Sequence, residues 1–123
     1  MSLQIEEYAL ISDCHTGALV GRNGSIDWLC LPRYDSPSVF GALLGDQEHG
    51  HWSIAPSDAE ATATRHYVDG TFVLVTHWVT DAGELEIIDF MPHGDHLSNI
   101  VRRLRCVRGQ VEVVEELRMR FGY

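Results

Sequence analysis

Lysine is absent from this chain of 123 residues, and its nine basic side chains, all arginine, stand against 18 acidic ones for a formal net charge of -9. Proteins that follow a nucleic-acid backbone rely on clustered Lys and Arg, so this balance disfavours a nucleic-acid partner. Long apolar runs are lacking too, since no segment reaches the roughly 18 residues that a membrane-spanning helix needs. We therefore expect a soluble protein that binds neither nucleic acid nor a membrane.

Cysteine is scarce: Cys14, Cys30 and Cys106 are the only thiols, and no C-x-x-C pair occurs. An odd number without paired spacing predicts reduced thiols instead of a disulfide framework or a zinc site. The first ten residues, MSLQIEEYAL, contain no basic segment and no long apolar one, so they do not look like a secretory signal. Together these features predict a cytoplasmic location.

Sequence motifs for catalysis are also missing. There is no G-x-S-x-G nucleophile elbow and no phosphate-binding loop. The histidine clusters HGH (residues 49–51) and HGDH (residues 93–96) have no third ligand at a defined spacing, so we predict no metal and no other cofactor. Cys14 and His15 are neighbours in a strand-like stretch and would point to opposite faces. Carboxylates are plentiful but specify no converging pair, so no catalytic residue is predicted.

The pattern that is present has a period of two. The runs TFVLVTHWV (residues 71–79) and ELEIIDFM (residues 84–91), separated by Asp81-Ala82-Gly83, predict a β-hairpin. Further strand-like stretches bring the number of short strands to eight to ten. This predicts an all-β fold, an antiparallel β-sandwich forming a single domain over residues 1–123. One short helix is predicted near residues 36–44, because Asp35 or Ser36 can cap it, Pro37 suits its first position and Gly45 its end.

A second hairpin is predicted around a two-residue Arg108-Gly109 loop. Its register would place Arg105 opposite Glu112 and Arg102 opposite Glu115, giving two structural ion pairs. The pair of Arg102 with Glu115 would lie on the apolar face and be partly buried; a solvated pair at the rim is the alternative.

Several stretches resemble a known family. They are YALISDCHTGALV, GSIDWLCLPRYDSPSVFGALLG, HGHW, IIDFMP and RMRFGY. Together they resemble the amino-terminal domain of the prokaryotic trehalase and glucoamylase-type enzymes of glycoside hydrolase family 15, over essentially the whole chain. The resemblance implies a supersandwich-like β-sandwich joined to a larger (α/α)6 catalytic barrel, which is absent from this chain. It also implies inverting hydrolysis of α-glucosidic bonds in trehalose or starch-type glucans, by glutamates on that barrel.

Within this family reading, Trp28, Arg33, Tyr34 and Asp35 combine aromatic area with charge in a proline-bracketed loop, as the centres of interfaces do. We expect them to face the catalytic domain, at or near the rim of its sugar site. The α-glucoside substrate would then be contacted only at the domain interface. The alternative is that Trp28 belongs to the core and Arg33 pairs locally with Asp35.

The sequence leaves three functions open. The first is a non-catalytic scaffold and docking domain, present as a fragment, whose uncovered face would drive self-association. The second is a free-standing carbohydrate-binding module that uses the exposed aromatic rings of Trp28, Trp52 or Trp78. The third is an enzyme in its own right.

Overall fold

The computed structural model describes residues 3–94 and 97–122 of the chain, and its regular structure there is almost all β. In chain order the strands are β1 (Tyr8–Ser12), β2 (Gly17–Gly21), β3 (Ser25–Cys30), β4 (Ser38–Phe40), β5 (His51–Pro56), β6 (Thr62–Tyr67), β7 (Leu74–Val79), β8 (Gly83–Phe90), β9 (Val101–Gly109) and β10 (Val113–Arg118). Short 3-10 turns cover Ile5–Glu7, Ala42–Leu44 and Gln47–His49. None of the helical segments in the described ranges is long and apolar enough to cross a membrane.

The strands form two antiparallel sheets packed face to face. The first sheet has the order β1-β2-β3-β5-β10, with β4 also paired to β3, and the second has the order β6-β7-β8-β9. The predicted hairpin of β7 and β8 is present, and burial along β8 alternates strictly, as the period of two requires. The all-β sandwich predicted from the sequence is confirmed.

The space between the sheets is filled by two apolar clusters. The larger includes Ile11, Ile26 and Leu29 from the first sheet and Leu74 from the second, each at most 2% exposed. A smaller cluster gathers at the other end of the interior around four buried side chains, namely Ile54, Trp78, Leu85 and Ile87. The two faces therefore bury each other, as the sandwich architecture requires.

The helix predicted near residues 36–44 is wrong. Ser38–Phe40 is strand β4, and only Ala42–Leu44 is helical, as a single 3-10 turn. The reason is tertiary pairing: the backbone of β4 bonds to β3 on one side, while Arg120 N donates to the Val39 carbonyl on the other. Backbone partners on both sides and burial of Val39 and Phe40 outweigh the local capping signals.

The second predicted hairpin is also wrong, because β9 and β10 belong to different sheets. Strand β9 pairs with β8, and β10 pairs with β5. Gly109 adopts a φ of +62°, and Gln110 N donates to the Ala82 carbonyl, so the chain leaves β9 alongside the β7–β8 turn and crosses to the first sheet. A hairpin turn and such a crossing look alike in a sequence, since both use Arg-Gly and polar residues.

Both predicted ion pairs fail with that hairpin. Arg105 lies 3.9 Å from Glu86 and is not paired with Glu112, whose carboxylate accepts a 2.8 Å hydrogen bond from Ser57 Oγ. Glu115 likewise does not pair with Arg102, because its carboxylate accepts a 2.9 Å hydrogen bond from Trp52 Nε1.

Arg102 instead forms a buried ion pair with Asp89, its direct neighbour on β8. The Nε–Oδ1 distance is 2.7 Å, and both side chains are only 1% exposed. The guanidinium also donates to the carbonyls of Trp52 (2.7 Å) in β5 and Gly24 (2.8 Å) in the β2–β3 turn, so this one side chain links the second sheet to the first. Burial raises the pKa of the Asp89 carboxyl above its usual range, and the charge of Arg102 opposes that shift.

A second arginine also links the two sheets, at the edge of the second sheet opposite β9. Arg65 of β6 donates to the Val20 carbonyl at 2.8 Å and to the Glu7 carbonyl, both of which lie on the side of the first sheet. Burial lowers the pKa of this guanidinium. Arginine suits both positions because its planar group presents several donors in fixed directions.

Candidate functional site

The loop that carries Arg33, Tyr34 and Asp35 joins β3 to β4 and lies against the β1–β2 turn. Tyr34 N donates to the His15 carbonyl at 3.2 Å, and the Tyr34 hydroxyl lies 2.9 Å from Ser12 Oγ. The sequence folds this way locally because β3 runs antiparallel to β2 and therefore ends beside the β1–β2 turn. The loop is thus held at one end of the first sheet.

The turn beneath this loop is itself well braced. Asp13 Oδ1 accepts hydrogen bonds from His15 N at 2.9 Å and from Thr16 N at 3.0 Å. Cys14 adopts a φ of +74°, the left-handed conformation that such tight turns require. Asp13 therefore caps the β1–β2 turn through its side chain, and this turn is the part of the first sheet against which the loop lies.

Arg33 and Asp35 project from the loop into solvent. Their side chains are 70% and 73% exposed, and they approach each other to 3.1 Å. Ser36 closes the loop, since its amide donates to the Arg33 carbonyl and its hydroxyl accepts from Arg33 N, both at 3.1 Å. An exposed ion pair of this kind adds little stability. The local pairing raised as the alternative is therefore present, and it leaves both charges available at the surface.

Trp28 lies on the outer face of the first sheet, half-buried. An irregularity in the β2–β3 register pairs Val20 with Ile26 but Leu19 with Trp28, so Asp27 is the extra residue. This bulge turns Trp28 away from the interior, where a strict alternation from Ile26 would have placed it. Trp28 is absent from both core clusters.

An apolar row crosses this outer face. Leu10 is opposite Leu19, and Leu19 is opposite Trp28, so the three side chains share one face across β1, β2 and β3. The Tyr34 ring adjoins the row at Gly17, where an added Cβ would meet Leu10 Cδ1 at 2.7 Å and Tyr34 Cε1 at 3.4 Å. The row and the loop form one surface, here called the loop surface: Leu10, Leu19, Trp28, Arg33, Tyr34 and Asp35.

The other two tryptophans do not offer exposed rings. Trp78 is 8% exposed and belongs to the smaller core cluster. Trp52 donates to Glu115, and Arg102 Cζ lies 5.3 Å from the centroid of its ring. The exposed platforms that the binding-module hypothesis expects at Trp52 and Trp78 are therefore not found.

A cleft of about 500 Å³ opens beside the β1–β2 turn, at the same end of the sandwich. Its lining includes Cys14, Phe72, Phe90 and His93. The sequence does not point to this cleft, because the run TFVLV reads as continuous strand from Thr71, whereas β7 begins at Leu74. Residues 70–73 form a loop instead, and Phe72 is 44% exposed. The only sequence signal for this loop is the turn composition Asp69-Gly70.

Metal ligands do not converge in the parts of the chain that the structure describes, where no group of three His, Cys, Asp or Glu side chains could hold an ion. His49 pairs with Asp46 at 3.2 Å, and the buried His51 uses Nδ1 on the Gln47 carbonyl at 3.1 Å. His93 is described, but residues 95 and 96 of the second histidine cluster lie outside the described residues.

These features define an antiparallel β-sandwich domain with a braced, exposed surface at one end. The chain belongs to the trehalase-like N-terminal family, whose sequence profile matches residues 1–123. The family resemblance seen in the sequence is confirmed.

Curated relatives agree with this assignment. The chain is 36% identical to a trehalase of Mycolicibacterium smegmatis and 34% identical to one of Mycobacterium tuberculosis, in each case over 97% of this chain and 20% of the relative. It is 41% identical to trehalase 1 of Sulfolobus acidocaldarius over 84% of this chain and 18% of that protein. The chain thus spans about one fifth of the length of these relatives. No solved structure matches it.

Proposed function

We propose that this chain is the non-catalytic N-terminal scaffold and docking domain of a glycoside hydrolase of family 15, of the trehalase or glucoamylase type. The longer polypeptide would hydrolyse α-glucosidic bonds of trehalose or of starch-type oligosaccharides with inversion. Its catalytic (α/α)6 domain would follow the sandwich in the same polypeptide. Membership of the trehalase-like N-terminal family, together with the one-fifth span of trehalase relatives, supports this proposal.

The observation that carries the docking role is the loop surface. Tyr34 is 58% exposed and yet fixed through both its amide and its hydroxyl, while Arg33 and Asp35 form an exposed ion pair beside it. Aromatic and arginine side chains held in one conformation lose little entropy on binding, which is why they dominate interface energetics. The apolar row of Leu10, Leu19 and Trp28 would supply the area, and the ion pair would supply orientation.

The partner that would dock on the loop surface is the catalytic domain. Its contact with the loop would bring Arg33 and Asp35 to the domain interface, where they could touch the rim of the sugar site. No catalytic residue is assigned to the chain itself. The predicted cytoplasmic location and the absence of a cofactor stay predictions.

The test uses the longer enzyme with Arg33→Ala and Tyr34→Ala, and with Arg22→Ala as the matched control. Arg22 is also exposed, but it lies in the β2–β3 turn at the opposite end of the sheet. We expect Arg33→Ala and Tyr34→Ala to lower kcat/KM for trehalose by about tenfold or more, or to lower the melting temperature by several degrees. Arg22→Ala should change neither.

Three outcomes would overturn parts of this proposal. Unchanged kinetics and unchanged melting for both loop variants would remove the docking role. Saturable binding of trehalose or maltose by the chain alone would favour the carbohydrate-binding module. Retention of anomeric configuration in the first-formed glucose, followed by NMR, would exclude the inverting mechanism.

A further inference from the structure

One side of the sandwich is open, at the edges formed by β9 and β10. Each is the last strand of its sheet, and neither has a strand partner on its outer edge among the described residues. The two edges lie on the same side, because Arg102 of β9 donates to the carbonyl of Trp52 on β5, the neighbour of β10. Long unpaired edges of this kind are templates for another strand.

The inner face is uncovered along β9. Leu104 lies opposite Ile87, and Cys106 lies opposite Leu85, so both point to the same face as those core side chains. Ile87 and Leu85 are 1% and 3% exposed, whereas Leu104 is 45% exposed and Cys106 is also exposed. The inner face of the second sheet is therefore buried along β8 but exposed along the neighbouring strand β9.

The inner face is uncovered along β10 as well. Leu117 lies opposite the half-buried Trp52, yet it is 51% exposed, and Met119 beyond it is 58% exposed. Both line an apolar groove of about 180 Å³ together with Phe40 and Ile100, which belong to or adjoin the larger core cluster. Apolar side chains of a core that remain in water lack the stabilisation that full burial would give them.

We propose that strands from the polypeptide that follows residue 123 in the longer protein complete this open side, with one strand on the edge of β9 and another on the edge of β10. Packed sheets lie about 10 Å apart, so one strand cannot pair with both edges. This inference goes beyond the proposed docking function: it rests on the chain being part of a longer protein and does not involve the loop surface. The relatives are about five times as long, so chain is available for these strands.

The positive charge of β9 favours pairing with a strand from the polypeptide after residue 123 over pairing with a second copy of this chain. Strand β9 carries the sequence VRRLRCVRG, and the Arg105 side chain is 70% exposed with its closest carboxylate, Glu86, at 3.9 Å. A two-fold symmetric dimer that paired β9 with β9 would place arginines of the two copies against each other, which destabilises the pairing. We therefore expect the strand added to β9 to carry acidic or neutral side chains opposite Arg103 and Arg105.

The test uses Cys106 as a natural reporter in the longer protein. Alkylation by iodoacetamide is followed at the Cys106 peptide by mass spectrometry, in the native protein and in the same protein unfolded in urea. Thr64→Cys is the matched control, because Thr64 is exposed on β6, at the edge of the second sheet opposite β9. We expect native Cys106 to react at least about tenfold more slowly than the thiol introduced by Thr64→Cys, since an added strand would bury it.

Two results would overturn the inference. If native Cys106 reacts about as fast as the control thiol, the open side is not covered. If its protection disappears on dilution to a monomer, a second copy is the occupant. Neither result depends on the kinetics of Arg33→Ala. The docking proposal can therefore fail while this inference stands, and this inference can fail while the docking proposal stands.

A second measurement covers β10. Leu117→Arg in the longer protein should lower the melting temperature by several degrees, whereas Ile5→Arg, at a side chain 64% exposed in the first 3-10 turn, should not. Equal melting temperatures would show that β10 stays uncovered and would overturn its part of the inference.

Discussion

Arg102 is a buried side chain that contacts three polar groups from different parts of the sandwich. It neutralises the buried Asp89 and satisfies the carbonyls of Trp52 and Gly24 across the sandwich. Removing one member of a buried pair leaves the other charge uncompensated in a medium that solvates it poorly. This cost, and not the strength of the pair itself, determines the effect of a substitution.

We predict that Arg102→Met lowers the free energy of unfolding by about 3–5 kcal/mol. Arg102→Lys should lose less, because an ammonium group keeps the charge beside Asp89 while it loses the fixed geometry. Urea denaturation gives both values. Arg105→Gln on the same strand is the control and should stay within about 0.5 kcal/mol, since Arg105 is largely exposed. A loss below about 1 kcal/mol for Arg102→Met would contradict the importance of the pair.

Tyr8 provides a titration that is easy to isolate. Its hydroxyl donates a 2.5 Å hydrogen bond to Asp27 Oδ2, and burial followed by this hydrogen bond raises the pKa of the phenol above its ordinary value. The folded state therefore holds this proton more tightly than the unfolded state. The resulting stability is fully present below the unfolded pKa of about 10, and it is lost as pH rises toward the folded value.

We accordingly expect the stability difference between the native sequence and Tyr8→Phe to shrink as pH rises from about 9 to 11. Because lysine is absent, the other side chains that titrate in this range are cysteines and tyrosines. Urea denaturation at several pH values measures the difference. A difference that stays constant over this range would argue against a raised pKa at Tyr8.

At the scale of elements, the β2–β3 connection depends on Gly24. Its φ is +85°, and a Cβ there would lie 2.2 Å from the Ile54 carbonyl oxygen. The Gly24 carbonyl accepts from Ile54 N at 3.1 Å and from Arg102, so β3, β5 and β9 meet at this residue. The turn signal Asn23-Gly24 therefore also determines how closely three strands approach.

We predict that Gly24→Ala destabilises the domain by at least about 2 kcal/mol more than Gly70→Ala. Gly70 is the matched control, because its φ is also positive, at +72°, but nothing lies within 4 Å of an added Cβ. Positive φ alone should cost about 1 kcal/mol at both positions. Thermal or urea unfolding compares the two variants, and equal losses would mean that the close approach at Gly24 is unimportant.

At the scale of the molecule, apolar side chains reach the surface in two areas: the half-buried row and the exposed Tyr34 of the loop surface, and the open side along β9 and β10. Contiguous apolar area of this kind promotes association when its natural cover is missing. We predict that the 123-residue chain by itself self-associates at high concentration. Sedimentation velocity over a range of concentrations measures this, and Leu117→Arg should weaken the association. A monomer at every concentration would show that neither area is large enough.

The strands and their class could be predicted from the sequence, because alternation in runs such as ELEIIDFM is a local property and each strand reports its own two faces. The β7–β8 hairpin was predictable for the same reason: its turn and both strands are contiguous. The family could be recognised because the block from Gly24 to Leu44 is long and unusual in composition. Arg33, Tyr34 and Asp35 could be selected as exposed candidates, since prolines and charges favour a surface loop.

What the sequence by itself determined was therefore the all-β class, the family and a short set of candidate surface residues, all of which depend on local or contiguous patterns. Only the tertiary structure decided that β9 and β10 lie in different sheets, that residues 38–40 form a strand, and that Arg102 pairs with Asp89. Each of these depends on which distant backbone satisfies a strand edge or a buried charge. That choice is made by long-range packing, where local capping and turn signals contribute about 1 kcal/mol and burial contributes more.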